Sequence, residues 1–106
     1  MGLGLKIAPI TPDLKEKYQI GDNQKGVVIV EVAPNSQATE RGLKPGDVIV
    51  EVQQTAVNSP DEVKKRIEAV RKENRKSVLI LVQGHDGLRW VPLPLVNEKD
   101  RDKKPG

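Results

Sequence analysis

Residues 38–49 read A-T-E-R-G-L-K-P-G-D-V-I, and the order of small, turn-forming and apolar residues in this dozen decides the fold. Asn35 and Ser36, just before it, offer oxygen acceptors for a helix start, and Gln37 to Arg41 is long enough for about one and a half turns. Gly42 supplies the left-handed residue that ends such a helix. Leu43 anchors the connection, and Lys44-Pro45-Gly46-Asp47 is a tight turn with proline pre-set and glycine free to take positive φ. Val48 then begins a strand. The stretch predicts a very short helix passed by a tight turn straight into a sheet.

Working outward on the N-terminal side, Val27 to Val32 is short and almost wholly apolar, which fits a strand buried on both faces better than a helix. Leu3 to Ala8 is another short apolar run, closed by Pro9, which has no N–H to give and so marks an edge or an end. Thr11-Pro12-Asp13 combines an N-cap, a proline at the first helical position and an acid in the first turn, predicting a helix from Pro12 to about Gln19. Gly21 to Gly26 is a loop.

On the C-terminal side, Val48, Val50 and Val52 alternate with Ile49, Glu51 and Gln53, so this strand is expected to have one stronger apolar face. Ser59-Pro60-Asp61-Glu62 is a capping box, the strongest helix start in the chain. From Pro60 to about Glu73, Val63, Ile67 and Val70 recur at i, i+4 and i+7, making one apolar stripe on an otherwise charged helix. Ser77 to Gln83 holds V-L-I-L-V, a buried central strand, and Gly84-His85-Asp86-Gly87 is a hairpin turn. Arg89 to Leu95 returns. Pro92 and Pro94 stand two apart, so their missing N–H groups face the same side and this strand can pair fully on only one.

The 106 residues are read as one domain over 1–96, with 97–106 a charged, disordered tail or linker without an apolar residue. Phe is absent and Tyr18 and Trp90 are the only aromatics, so the core must come from thirty Val, Leu and Ile residues. No apolar run approaches a membrane span, and Met1-Gly2-Leu3-Gly4 has no basic region ahead of an apolar stretch, so a soluble chain without its own signal peptide is expected. The absence of Cys removes disulfide and thiolate chemistry. Net charge is +3, much of it on Lys64, Lys65, Arg66, Arg71, Lys72, Arg75 and Lys76. That cluster reads as a solvated helix face, because nucleic-acid binding would want interleaved aromatics or a known module.

Catalysis finds no footing. Ser36 and Ser59 are spent as caps, Ser77 lacks a nucleophile-elbow setting, and His85, the single histidine, sits in a turn. One His and no Cys leave no basis for a metal site, and neither the dinucleotide nor the P-loop glycine pattern is completed, so no cofactor is expected. What remains is Gly2-Leu3-Gly4-Leu5, where flanking glycines allow successive N–H groups to converge on an anion.

The combination of G-L-G-L at 2–5, R-G-L-K-P-G-D-V-I at 41–49, S-P-D-E-V at 59–63 and R-W-V-P-L-P-L at 89–95 resembles the PDZ domains of bacterial HtrA/Do-type periplasmic serine proteases, most of all the last of them. The resemblance spans residues 2–95 and implies an α+β, mainly β fold: a partly open barrel or sandwich of five to six strands, capped by one long and one or two short helices. It implies a non-catalytic module that binds hydrophobic C-termini or extended segments by strand addition, recruiting substrate or regulating protease activity and assembly. Leu3, Gly4 and Leu5 would hold a terminal carboxylate, and the edge of Lys6, Ile7 and Ala8 would take the peptide. Val63, Arg66, Ile67 and Val70 would form the opposite wall, with either Lys64 or Arg66 turned toward the peptide according to helix register.

Partners implied are peptide segments of protein substrates and other domains or subunits of the parent protease, with no nucleic acid and no direct membrane contact, in the periplasm. Many PDZ domains place a His at the start of the groove helix to bond a Ser or Thr hydroxyl; Pro60-Asp61-Glu62 stands there instead, so a hydroxyl preference is not expected. Alternatives of the same fold are the PDZ domain of a membrane zinc protease or of a C-terminal processing protease, and an inter-domain docking module that takes no free peptide.

Overall fold

A computed structural model describes residues 4–95. Leu3 and the 97–106 tail lie outside the described residues. The elements run β1 (Leu5–Pro9), α1 (Pro12–Tyr18), β2 (Val27–Val32), α2 (Gln37–Glu40), β3 (Val48–Val52), β4 (Thr55–Ala56), α3 (Pro60–Lys72), β5 (Ser77–Gly84) and β6 (Gly87–Pro94). All strands pair antiparallel in one six-stranded sheet of order β1-β2-β3-β5-β6, with β4 alongside β3. This is the α+β architecture expected, at the six-strand end of the range and with three helices.

The stretch at 38–49 folds as its chemistry requires. The Ser36 hydroxyl accepts the Thr39 N–H at 3.2 Å, and α2 ends when Gly42 takes φ +83°. Asp47, 3 % exposed, closes the turn by accepting the Lys44 N–H at 3.1 Å through Oδ2. Arg89 on β6 reaches the same corner, donating to the Gly42 carbonyl at 2.9 Å and lying 3.9 Å from the Asp47 carboxylate. The turn also belongs to the sheet: the Ile29 N–H donates to the Asp47 carbonyl at 2.8 Å and the Gly46 N–H to the Ile29 carbonyl at 2.7 Å.

One cluster forms the core, drawing on Val27 and Ile29 of β2, Ile49 and Val52 of β3, Val78, Ile80 and Val82 of β5, Val91 and Leu93 of β6, and Val63, Ile67 and Val70 of α3. The even alternation expected along Val48, Val50 and Val52 is broken. Ile49 faces Val82 and Glu51 faces Leu81, so Val50 is an extra, bulged residue. The bulge turns Ile49 and Val52 into the core and leaves Val50 half-buried. Val48 and its partner Val28 are buried outside that cluster, where Tyr18 and Ile20 lie near Val48.

A second departure is β4. Gln53 and Gln54 both take positive φ, 52° and 66°, making a two-residue turn that pairs Thr55 with Val52 and Ala56 with Glu51. Gln53 holds this turn against β5: its N–H donates to the Leu79 carbonyl at 2.6 Å and its side-chain oxygen accepts the Leu79 N–H at 3.0 Å.

Candidate functional site

β1 lies at one end of the sheet path and, among the described residues, pairs only with β2. At its start the Ala33 N–H donates to the Gly4 carbonyl at 2.8 Å. Because neighbouring residues of an antiparallel strand turn their backbone groups to opposite sides, Lys6 then faces β2, while Leu5 and Ile7 present N–H and C=O to the free edge. The Lys6–Glu31 and Ile7–Ile29 pairings skip Val30, a second bulge, so the ladder kinks beneath this edge.

Gly4 fixes where the edge begins. It has φ +78°, and a Cβ built on it would stand 2.6 Å from the Ser36 Cβ and 2.8 Å from its Oγ. The glycine is therefore required both by conformation and by its close approach to the α2 cap. Ser36 is itself pinned, its hydroxyl donating to the Ala33 carbonyl at 2.7 Å. So the residues at 33–36 hold the N-terminal end of β1 in place from both backbone and side chain.

Across from the edge stands α3. Ser59 accepts the Glu62 N–H at 3.3 Å, and the Glu62 carboxylate accepts the Asn58 N–H at 2.6 Å, so the reciprocal bond of the capping box reaches one residue further back than the Ser59 N–H. Asp61 and Glu62 sit in the first turn and Arg71 and Lys72 in the last, complementing the helix dipole at both ends.

Between β1 and α3 lies a cleft of about 340 Å³, lined on the β1 side by Gly4, Leu5, Lys6 and Ile7 and on the helix side by Pro60 and Lys64, with Glu31 and Ala33 at the rim. Of the expected wall, Val63, Ile67 and Val70 are 1 %, 4 % and 4 % exposed. They join Leu5 in the core cluster, with Ile7 packed against it, and so lie beneath the cleft rather than on its surface. Arg66 turns away from β1 and borders a separate depression with Thr55, Ala56, Val57, Glu62 and Lys65. Of the two cations that helix register left open, Lys64 is the one in the cleft. Ala8 is half-buried on β1 beyond the lining residues. Glu31 and Ala33 were missed by sequence reasoning, and Pro60 entered it only as the start of the wall helix, although Pro60, Lys64 and Ile67 follow one another at helical spacing.

The cleft is an apolar floor under two rims, one of unpaired backbone and one carrying a cation. Lys6 lies 3.9 Å from Glu31, both largely exposed, so that pair carries little energy. Ser36 and Ser59 serve as helix caps and His85 is exposed in the β5–β6 turn. Among the described residues no three His, Cys, Asp or Glu gather as a metal site, and no helix is long and apolar enough to cross a membrane.

The PDZ domain family model matches residues 3–86. A DegP-like periplasmic serine endoprotease of Brucella suis is 42 % identical over 77 residues, covering 73 % of this chain and 15 % of that protein. The one from Rhizobium meliloti is 37 % identical over 93 residues, covering 88 % of this chain and 16 % of the relative. The chain thus spans about a sixth of the length of these relatives. Among solved structures, the HtrA3 PDZ domain bound to a phage-derived ligand (FGRWV) superposes with a TM-score of 0.68 at 23 % identity, covering 87 % of this chain and 81 % of that one. With the glycine-started edge strand, the capped helix beside it and a family match over most of the described residues, the chain belongs to the PDZ domains, non-catalytic modules, and the curated relatives it resembles are DegP-like periplasmic serine endoproteases.

Proposed function

We propose that the cleft between β1 and α3 binds the C-terminus or an extended segment of another polypeptide, which adds as a strand to the edge of β1. The observation that carries this reading is the edge itself: Leu5 and Ile7 turn backbone groups away from β2 toward a helix wall one cleft-width away. Main-chain pairing supplies generic affinity, as it does wherever a peptide adds to an exposed sheet edge, and side-chain pockets supply preference. The backbone N–H groups of Leu3, Gly4 and Leu5 would hold a terminal carboxylate. Val63, Ile67 and Val70 form the floor beneath the cleft, so an apolar terminal side chain enters by displacing α3 slightly from β1.

In the parent protein this binding serves a serine protease, bringing exposed hydrophobic ends to it or setting its activity and assembly, in the periplasm. The relatives named as periplasmic endoproteases support that setting, and the ligand in the HtrA3 PDZ structure supports a peptide partner. Because an added strand buries little surface, affinity is expected at about micromolar, near 8 kcal/mol. A titration with one hydrophobic-ended peptide, in free-acid and amidated forms and followed by backbone amide shifts, tests it. Shifts should cluster on residues 4–8 and 60–70 and the amide should bind at least about tenfold more weakly, the loss of one charge-assisted site. Shifts scattered elsewhere would remove the groove, and equal affinity of the two forms would remove the carboxylate loop.

A further inference from the structure

We propose that Lys64 makes this cleft select peptides with an acidic side chain two positions before their C-terminal residue. The inference rests on the strand-addition reading above and names the ligand chemistry of that same site. Two cations line the cleft, Lys6 and Lys64. Lys6 has a carboxylate at 3.9 Å, Glu31. Lys64 has none within ion-pair distance among the described residues, and Glu68, one turn along the helix, lies 3.7 Å from Arg71 instead. The helix wall thus presents one uncompensated positive charge. Its neighbour on that wall, Pro60, carries no side-chain donor or acceptor, so no hydrogen bond competes with charge in choosing the residue opposite.

Strand geometry chooses the position. In a strand antiparallel to β1 whose C-terminus lies at Gly4, the last and third-from-last side chains face the same way, toward α3. The last stands over Leu5. The third from last lies further along β1, toward Ile7, and meets the Pro60–Lys64 wall.

The test uses three peptides with one common apolar terminal residue that differ only two positions earlier, carrying Glu, Gln or Lys, titrated by amide shifts into the wild type, Lys64→Glu and Lys65→Glu. Lys65 is exposed and faces the other side of α3, so its variant controls for net charge. The wild type should bind Glu over Gln over Lys in steps of about two- to fivefold at low salt, as partly exposed ion pairs allow. The steps should shrink toward unity near 1 M salt, where screening acts within about 3 Å. Lys64→Glu should reverse the order, and Lys65→Glu should keep it. Equal affinities for all three peptides, with shifts still on β1 and α3, would overturn the selectivity and leave the groove standing. A wild type in which none of the peptides shifts those residues would overturn both.

Discussion

Two residues of opposite character set the backbone. Gly4 has φ +78° and no room for a Cβ beside Ser36, so Gly4→Ala adds a left-handed strain of about 1–2 kcal/mol to a steric clash. We expect this variant to lose at least that much stability in urea denaturation, and Ser36→Gly, which clears the clash and weakens the α2 cap by only a few tenths of a kcal/mol, to restore part of it. No rescue by the second change would mean that conformation alone, not the approach to Ser36, demands the glycine. Gln54 is the reverse case, a residue with a Cβ held at φ 66°. Gln54→Gly relieves strain of about 1–2 kcal/mol and loses about 0.4–1 kcal/mol through a more disordered unfolded chain, so a net gain of roughly 0.5–1 kcal/mol is expected. A fall in the denaturation midpoint would contradict it. This turn was illegible in the sequence because hairpin turns of its type announce themselves by Asn-Gly or Asp-Gly, and here two glutamines form it, one of them anchored 26 residues away on Leu79. The β5–β6 turn, carrying Asp86-Gly87, was legible for the converse reason.

Helices and strands with local start signals came out of the sequence nearly residue for residue. α3 begins at Pro60 behind its Ser59 cap and ends at Lys72, one residue short of expectation because Glu73 serves as the C-cap. α1 likewise stops at Tyr18, where Gln19 turns left-handed. Rotation of α3 against β1 was not legible, since it depends on which residues β1 and β5 leave room for. The apolar stripe correctly marks one face, yet that face is wholly core, and the cleft takes the adjacent line of Pro60 and Lys64. Removing the Ser59 hydroxyl leaves the Glu62 N–H without its acceptor, and Ser59→Ala should destabilise by about 1 kcal/mol, read as a lower urea midpoint at unchanged slope. Truncating the buried stripe is a larger change: Ile67→Ala should lose about 2–5 kcal/mol, and an effect within the surface range of about 0.5 kcal/mol would show that Ile67 stands on the cleft surface rather than in the core.

At the scale of the whole molecule the sheet path has two outer edges, and they are not equivalent. The Leu95 N–H donates to the Lys76 carbonyl at 2.8 Å, so by alternation Leu93 and Val91 point toward β5 and Pro92 and Pro94 point outward. Two donors are thus missing from the β6 edge, which blunts it against strand addition, whereas the β1 edge has no proline before Pro9. The edge that can accept a strand is the one beside α3, and both its walls rest on one core: Leu5 from β1 and Val63, Ile67 and Val70 from α3 pack in the same cluster as β5 and β6. A ligand bridging β1 and α3 therefore binds a surface that exists only when the whole domain is folded. Its binding should stabilise the global native state by mass action, about 2.7 kcal/mol at a free peptide concentration one hundred times Kd. For a domain of this size about 4–8 °C of melting temperature goes with each kcal/mol, so the expected rise is roughly 10–20 °C. Calorimetry with and without a saturating free-acid peptide measures it, and the amidated peptide at the same concentration should give a smaller rise. Saturation of the β1 and α3 amide shifts with no change in melting temperature would mean that the peptide holds the unfolded chain as well as the folded one, and the cleft would not be the structure that recognises it.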